Sequence, residues 1–334
     1  MTSDTLLTIV VPTFNRDATL RLLLDTLLVE LLGLEDRIDV IIGDNASTDN
    51  TQVVSAVFQS AWPAAIVLRH AQNLGPDENF CRCIDEIKSR YFWIIGDDDL
   101  PKTGVIRQIV ELLERENPDL VYLSSEWHKT VTSAAQGEPV GRLSHNAMSQ
   151  LEFASRVNVW FTFISGMVIS RDTLISTNGM EKIRRFAGSS LVQLGWVLGL
   201  LKDGKRFIHI PAPCMLAKAG NTSGYPLVTV FGKNFTRIVR ETFGRDSPVA
   251  TVMIRRNMMG FLPRLIWSTR FRNKGNFHSE NVWVSLKSTF SGQFCFWLVL
   301  TPLCLAPKVI AFPFLLFTMA IARFLYIKDR MGIF

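Results

Sequence analysis

The chain has 334 residues, 48% of them hydrophobic, with a formal charge of +6 and a mean hydropathy of +0.19. That length holds one large domain with an appendage, or two domains, and the hydropathy is high for a purely soluble protein. The charge is uneven: from Arg237 onward there are 14 Lys/Arg against 4 Asp/Glu, whereas residues 1–236 carry 22 basic and 26 acidic side chains. A basic tail this apolar points to an anionic membrane surface and away from nucleic acid.

Leu6–Val11 is a short apolar run stopped by Pro12, the pattern of a buried strand. Ala18–Leu32 has leucines at helical spacing and ends at Gly33. A second strand is expected over Ile38–Ile42, then the polar turn Asp44-Asn45-Ala46-Ser47-Thr48-Asp49 and a helix from Thr51 to Gln59. Ala65–Leu68 reads as the third strand, Asn73-Leu74-Gly75-Pro76 as a loop, and Glu78–Lys88 as a helix. The run Tyr91–Ile95 is the fourth strand, with Gly96-Asp97-Asp98-Asp99 at its mouth. A helix over Val105–Glu116 and a strand over Leu120–Leu123 continue the alternation. The fold class is therefore α/β, with a mostly parallel sheet and helices on both faces.

Further on, Ser124–Asn146 is expected as a polar loop over the site and Val159–Ser170 as paired strands broken at Ser165-Gly166. Leu191–Leu201 reads as an apolar helix, Phe207–Ile210 as a strand, and Asn221–Pro226 as a second loop. The expected domains are residues 1–235, which carry the sheet, and 236–334, a basic, apolar helical region. Five cysteines, Cys81, Cys83, Cys214, Cys295 and Cys304, are odd in number and lack paired CxxC spacing, which points to reduced structural thiols. No secretory leader is expected, since the N-terminus has Asp4, no basic region, and an apolar run that stops at Pro12.

In such sheets ligands collect at the carboxyl ends of the strands. Here those ends carry Pro12–Arg16, Asp44-Asn45, Asn73 and Asp97–Asp99. Three adjacent carboxylates repel one another and stay ionised together only beside a cation. A hard divalent cation holding a diphosphate suits them, because Mg²⁺ takes one or two carboxylates plus phosphate oxygens. The plainer alternative is an acidic turn before the helix that Pro101-Lys102 opens.

The strings Thr8-Ile9-Val10-Val11-Pro12-Thr13-Phe14-Asn15-Arg16, Asp44–Asp49, Asn73-Leu74-Gly75 and Asp97-Asp98-Asp99 follow in that order over roughly the first 120 residues. This pattern resembles family 2 glycosyltransferases with the GT-A fold. Within them it resembles enzymes of bacterial surface polysaccharide and O-antigen assembly, including abequosyltransferase-like ones. The resemblance implies a Rossmann-like GT-A domain in which Thr13 and Phe14 border the nucleotide base and Asp44 hydrogen-bonds the base edge. A carboxylate there suits the imide N–H of a pyrimidine; alternatively Asp44 forms an Asx turn. Asn73 would reach ribose or phosphate, or satisfy loop backbone groups, and Ser47 and Asp49 would brace the turn. Asp97 and Asp98 would be sugar-nucleotide ligands and Asp99 the ligand of a divalent metal, Mg²⁺ or Mn²⁺. The register stays open, because Gly96 falls where the family has its first Asp if Asp98-Asp99 end the motif.

An inverting member needs a general base for the acceptor hydroxyl. The family places an acidic pair at the start of the helix before the Phe207–Ile210 strand. Here Gly188-Ser189-Ser190 and Gln193 stand there, with no carboxylate before Asp203. Asp172 and Glu181 are the nearest upstream acids, each also readable as a cap or a surface charge. The five histidines show no metal-binding spacing, and His209, in an apolar strand, reads as a core histidine.

Cys295–Ala306 and Val309–Ala322 are apolar, separated by Pro307-Lys308 and interrupted by Pro302 and Pro313. Each is shorter than the roughly 20 residues that span a bilayer. Basic residues flank both ends, which puts both on the cytoplasmic side. A hairpin or interfacial helices near residues 294–327 are expected, with a soluble core hairpin as the alternative.

The reading is a metal-dependent, inverting transfer of a hexosyl or deoxyhexosyl group from a nucleoside diphosphate sugar. The acceptor would be a polyprenyl-pyrophosphate-linked oligosaccharide at the cytoplasmic face of the bacterial inner membrane, with the protein peripheral or monotopic. Its rivals are a catalytically silent sugar-nucleotide-binding scaffold and a nucleotidyltransferase. The latter would want a Gly-rich loop that Pro12–Arg16 lacks.

Overall fold

The computed structural model describes residues 5–132, 137–220, 224–272 and 280–330. Its strands are β1 (Leu7–Thr13), β2 (Ile38–Asp44), β3 (Ile66–Arg69), β4 (Tyr91–Ile94), β5 (Leu100–Pro101), β6 (Leu120–His128), β7 (Asn146–Met148), β8 (Met167–Ser170) and β9 (Phe207–Lys218). The helices of the first half are α1 (Asp17–Glu30), α2 (Thr51–Ala61), α3 (Pro76–Asp85), α4 (Val105–Glu116), α5 (Gln150–Val157), α6 (Arg171–Ser176) and α7 (Leu194–Asp203). The rest are α8 (Phe235–Phe243), α9 (Pro248–Arg256), α10 (Leu262–Trp267), α11 (Val282–Phe290), α12 (Thr301–Leu305) and α13 (Lys308–Arg330).

The chain forms two compact units. The first runs to Ser149 and adds Phe161–Gly188 and Val192–Gly220; the second takes Gln150–Trp160, Ser189–Leu191 and the chain after Gly220. The second unit thus begins earlier than residue 236 and includes α5, a segment far from the tail in sequence.

In the first unit, nine strands among the described residues make one sheet in the order β3-β2-β1-β4-β8-β6-β9-β5, with β7 on β9. β3, β2, β1 and β4 are parallel, β8 is antiparallel to β4 and β6, and β6 runs parallel to β9. All seven residues of β1 are buried, as a parallel strand covered on both faces requires. On one face Leu7, Ile9 and Val11 share a core with Leu20, Leu23, Leu24 and Leu27 of α1 and with Ile106, Ile109 and Leu113 of α4. The spacing of those leucines is the helical stripe read from the sequence. α3 packs on β1 and β2, with Cys81, Cys83 and Ile84 buried. All five cysteines are free, and burial pushes the thiols of Cys81 and Cys83 up to about 12, so they stay protonated and inert.

Three expectations change. Val159–Ser170 is not a strand pair: 3₁₀ turns at Asn158–Thr162 and Ile164–Gly166 precede β8. The Trp93 indole N–H holds the Ser165 carbonyl at 2.8 Å, so the run bends instead of pairing. β6 and β9 also reach well past Leu123 and Ile210, continuing as a pair to His128 and Lys218. Pro211 and Pro213 offer no ladder N–H, and the pairing skips from Ile210 to Met215 opposite Leu123 and Ser125. The apolar helix starts at Leu194, past the polar residues Gly188-Ser189-Ser190. Parts of the two expected loops, 133–136 and 221–223, lie outside the described residues, as does His278.

Gly43 marks a close approach. A Cβ there would lie 2.3 Å from Cys83 Sγ and 3.1 Å from Asn79 Oδ1. Gly43→Ala is expected to lower stability by about 1–3 kcal/mol through overpacking, read as a lower denaturant midpoint. An unchanged midpoint would mean that α3 yields freely.

The second unit is helical, with π-helical turns at Thr229–Asn234, Asn257–Phe261, Ser268–Arg272 and Phe296–Leu300. α5 packs on α9, and Asn158 Nδ2 donates to the Met253 carbonyl at 3.0 Å. α13 rests on α10, α12 and the Asn257–Phe261 turn. Among the described residues no helix is long and apolar enough to cross a membrane.

Candidate active site

Sheet register brings the site residues together. β1 pairs Val10 with Ile94 of β4, and Thr13 with Asp44 of β2. Three residues beyond Val10 and Ile94 stand Thr13 and Asp97, and Thr13 Oγ1 donates to Asp97 Oδ2 at 2.7 Å. Arg16, just past β1, donates from one nitrogen to Asp97 Oδ1 at 2.9 Å and to Asp98 Oδ2 at 2.8 Å. The guanidinium is the cation that lets these two carboxylates sit side by side.

Asp99 turns the other way. Its Oδ2 accepts from Ser165 Oγ at 2.6 Å and its Oδ1 from the Lys218 backbone N–H at 2.8 Å. Ser165 Oγ in turn accepts from the Gly96 N–H at 2.9 Å. Gly96 belongs to this close packing, since a Cβ there would lie 3.1 Å from Asp99 Oδ2. Asp99 thus ties the end of β4 to the bend before β8 and to the end of β9. Burial pushes the Asp99 carboxyl up to about 7 against the opposing pull of Ser165 and the Lys218 N–H. Burial likewise pushes Asp97 up to about 6, opposed by Arg16 and Thr13.

The loops after β1 and β2 are stitched together. Asn15, at φ 52°, accepts from the Thr48 N–H at 2.7 Å, and its own N–H donates to Ser47 Oγ at 2.9 Å. Asp49 accepts from the Asp17 and Thr51 N–H groups, both at 3.0 Å. Asp44 is buried; its Oδ1 accepts from the Ser47 N–H at 2.8 Å. Its Oδ2 has no hydrogen-bond partner among the described residues, and Arg69 Nε stands 3.9 Å away. A buried carboxylate oxygen left with only a distant cation retains acceptor capacity at the strand end. Asn73 Oδ1 accepts from Asn45 Nδ2 at 2.9 Å and from the Gly75 N–H at 2.8 Å, bracing the loop. Phe14 is 40% exposed at the rim, beside buried Thr13.

Next to Asp98 lies a cavity of about 130 Å³, lined also by Thr19, Leu22, Leu100, Lys129 and Lys218. Two lysines thus face the space beside the acidic triplet. Among the described residues no three or more His, Cys, Asp or Glu converge as a metal cage. The donor set instead fits a hard cation shared between one carboxylate and phosphate oxygens.

Of the two base candidates, Asp172 is not brought to this edge. Ser170 pairs with Tyr91 at the start of β4, so Asp172, two residues on and 3.5 Å from Arg90, lies at the sheet edge opposite the triplet. Glu181 is exposed on the 3₁₀ turn Met180–Lys182, and the hydrogen bonds found for the triplet do not involve it. His209 is buried in β9, stacked on Tyr122 and within 3.1 Å of Ser124 Oγ. Arg16, Ser165 and Lys218 are the contributors that sequence reasoning passed over. Only Arg16 carried a signal, as a lone cation within the first motif.

A sheet whose strands β1–β4 run parallel, with carboxylates and a bridging arginine at their carboxyl ends, places the first unit among α/β proteins of the Rossmann-like class. Residues 8–174 match the family described as Glycosyl transferase family 2, and the chain belongs to that family. It is 36% identical over 96 residues to abequosyltransferase RfbV of Salmonella typhimurium, a stretch that covers 28% of each chain. In fold it is similar to S. aureus TarS 1-349 in complex with UDP-GlcNAc, with a TM-score of 0.62 and 13% identity, covering 98% of this chain and 92% of that one. It is also similar to the mannosyltransferase PcManGT from Pyrobaculum calidifontis in complex with GDP-Man and Mn²⁺. That likeness has a TM-score of 0.53 and 14% identity, covering 97% and 86% of the two chains.

Proposed function

We propose that this protein transfers a sugar, with inversion, from a nucleoside diphosphate donor to a polyprenyl-pyrophosphate-linked oligosaccharide. The transfer takes place at the cytoplasmic face of a bacterial membrane, in synthesis of an O-antigen-like polysaccharide. The observation that carries the donor side is the junction of Thr13, Arg16, Asp97 and Asp98 at one sheet edge. Likeness to an abequosyltransferase supports the polysaccharide setting, and the fold shared with sugar-nucleotide complexes supports the donor class.

In this reading Phe14 covers the base and Asp44 accepts from its edge. Asp97, fixed by Thr13, takes a donor hydroxyl. The metal role that the sequence pattern gives to Asp99 passes to Asp98. Both Asp99 oxygens already hold protein donors, whereas Asp98 lines the cavity and gives one oxygen to Arg16. A bound Mg²⁺ or Mn²⁺ would neutralise the charge that develops on the diphosphate leaving group. Arg16 holds the two carboxylates in its absence and then turns its charge to the diphosphate, joined by Lys129 and Lys218. Asp99 acts through the others, by holding the loop in place.

Calorimetry with a panel of nucleoside diphosphate sugars, with and without Mn²⁺, tests this. One donor is expected to bind, and only with the metal. A folded sample that binds none would overturn the transferase reading in favour of a silent scaffold.

A further inference from the structure

The outer face of α13 inverts the usual order of a surface helix. Ala311, Leu315 and Thr318 are buried, facing the helices beneath. The residues turned outward are Val309, Ile310, Phe312, Leu316, Phe317 and Phe324, with Val309 84% exposed. Between Lys308 and Arg323 the sequence has no charged residue. A helix resting on a soluble domain places its polar residues outward, and this one places apolar residues on both faces. The preceding segment adds Phe294, 77% exposed, together with Trp297 and Leu305. Between Lys287 and Arg323 the only charge is Lys308. An exposed apolar surface of this extent marks an interaction site.

We infer that this face docks in the plane of an anionic lipid bilayer, with α13 lying at the interface. This deepens the membrane part of the proposal above and rests on it. Charge decides between a bilayer and a second copy of the chain. In sequence the apolar stretch is flanked by Lys287 and Arg323 and interrupted by Lys308, within a region from Arg237 onward that carries 14 basic and 4 acidic residues. A two-fold contact between copies would set these cations against each other, whereas anionic headgroups complement them. Indole and phenyl rings beside basic residues are the composition of an interfacial anchor. Packing of α13 on α10, α12 and the Asn257–Phe261 turn leaves its other face uncovered along the helix, the geometry of an in-plane contact.

The test is flotation of the full-length protein with vesicles of phosphatidylcholine alone or with added phosphatidylglycerol. Binding is expected to be stronger on the anionic vesicles and to weaken with salt. Ile310→Glu with Phe317→Glu is expected to weaken it on the order of 100-fold. Lys308→Glu with Arg323→Glu is expected to weaken it roughly tenfold on anionic vesicles only. These positions are exposed, so melting temperature and donor binding should match wild type. Loss of flotation with donor binding kept therefore tests the surface apart from the donor site. No binding to either vesicle, or binding unchanged in both double variants, would overturn the inference. So would a lipid-free dimer, seen by light scattering, that Ile310→Glu with Phe317→Glu dissociates.

Discussion

Asp98→Asn is expected to cut sugar transfer by ~10³-fold or more while leaving the melting temperature close to that of wild type. A group that stabilises charge developing on a leaving group supplies about 10²–10³-fold by itself, and a lost metal contact adds to that. The fold should persist because Arg16 keeps its 2.9 Å contact with Asp97 when the Asp98 charge is gone. Asp99→Asn makes the informative comparison. Its side chain accepts from Ser165 and from the Lys218 N–H. Asparagine can satisfy only one of these donors in the same way, at a stability cost of about 1–3 kcal/mol. Donor affinity in Mn²⁺ should then fall much further in Asp98→Asn than in Asp99→Asn. Steady-state rates and donor calorimetry on both variants decide the matter. Full transfer by Asp98→Asn would remove that residue from the metal reading. Metal-dependent binding lost only in Asp99→Asn, with the protein folded, would return the metal to Asp99.

Local pattern made the first half of the chain legible. Apolar runs bounded by Pro12, Asp44 and Gly96 mark strands that the structure contains, because a parallel strand buried on both faces must be apolar throughout. Parallel order among β1, β2, β3 and β4 then carries the ends of those strands to one edge, so the nearness of Thr13 and Asp97 follows from topology. The partners of Asp99 were not legible. Ser165 lies 66 residues away in sequence and Lys218 lies 119. Both depend on a bend and a long β9 that tertiary contacts impose. A run such as Val159–Ile164 has strand-like composition, yet the Trp93 contact to Ser165 bends it. Nor does anything local show that α5 joins the helices after Gly220, since that assignment comes from its packing on α9. The outward apolar face of α13 was half legible: composition showed the apolar run, and only the packing beneath it showed which residues remain uncovered.

Buried Asp97 and Asp99 should also make metal-free stability depend on pH, in a direction opposite to that of a carboxylate whose pKa is lowered by an ion pair. Asp99 has a folded-state pKa pushed up to about 7 by burial, against an ordinary value of 3.8. Between those values the folded protein keeps a proton that the unfolded chain has released. The stabilising contribution is therefore fully present below about pH 4 and is lost as pH rises through about 7. Asp97, raised to about 6, acts in the same sense. Asp99→Asn cannot titrate, so the stability of wild type relative to this variant should fall with rising pH, by on the order of 3 kcal/mol across the window. Denaturant unfolding in EDTA at pH 5 and pH 8 measures the difference, and a gap that widens in favour of wild type at pH 8 would refute the sign. With Asp97 and Asp99 both ionised the metal-free fold is thus strained. A divalent cation on the neighbouring Asp98 would favour the ionised forms of Asp97 and Asp99 by its charge, so it should raise the melting temperature more at pH 8 than at pH 5. A site that pays for its charge until a cation arrives is one built to be completed by the donor complex.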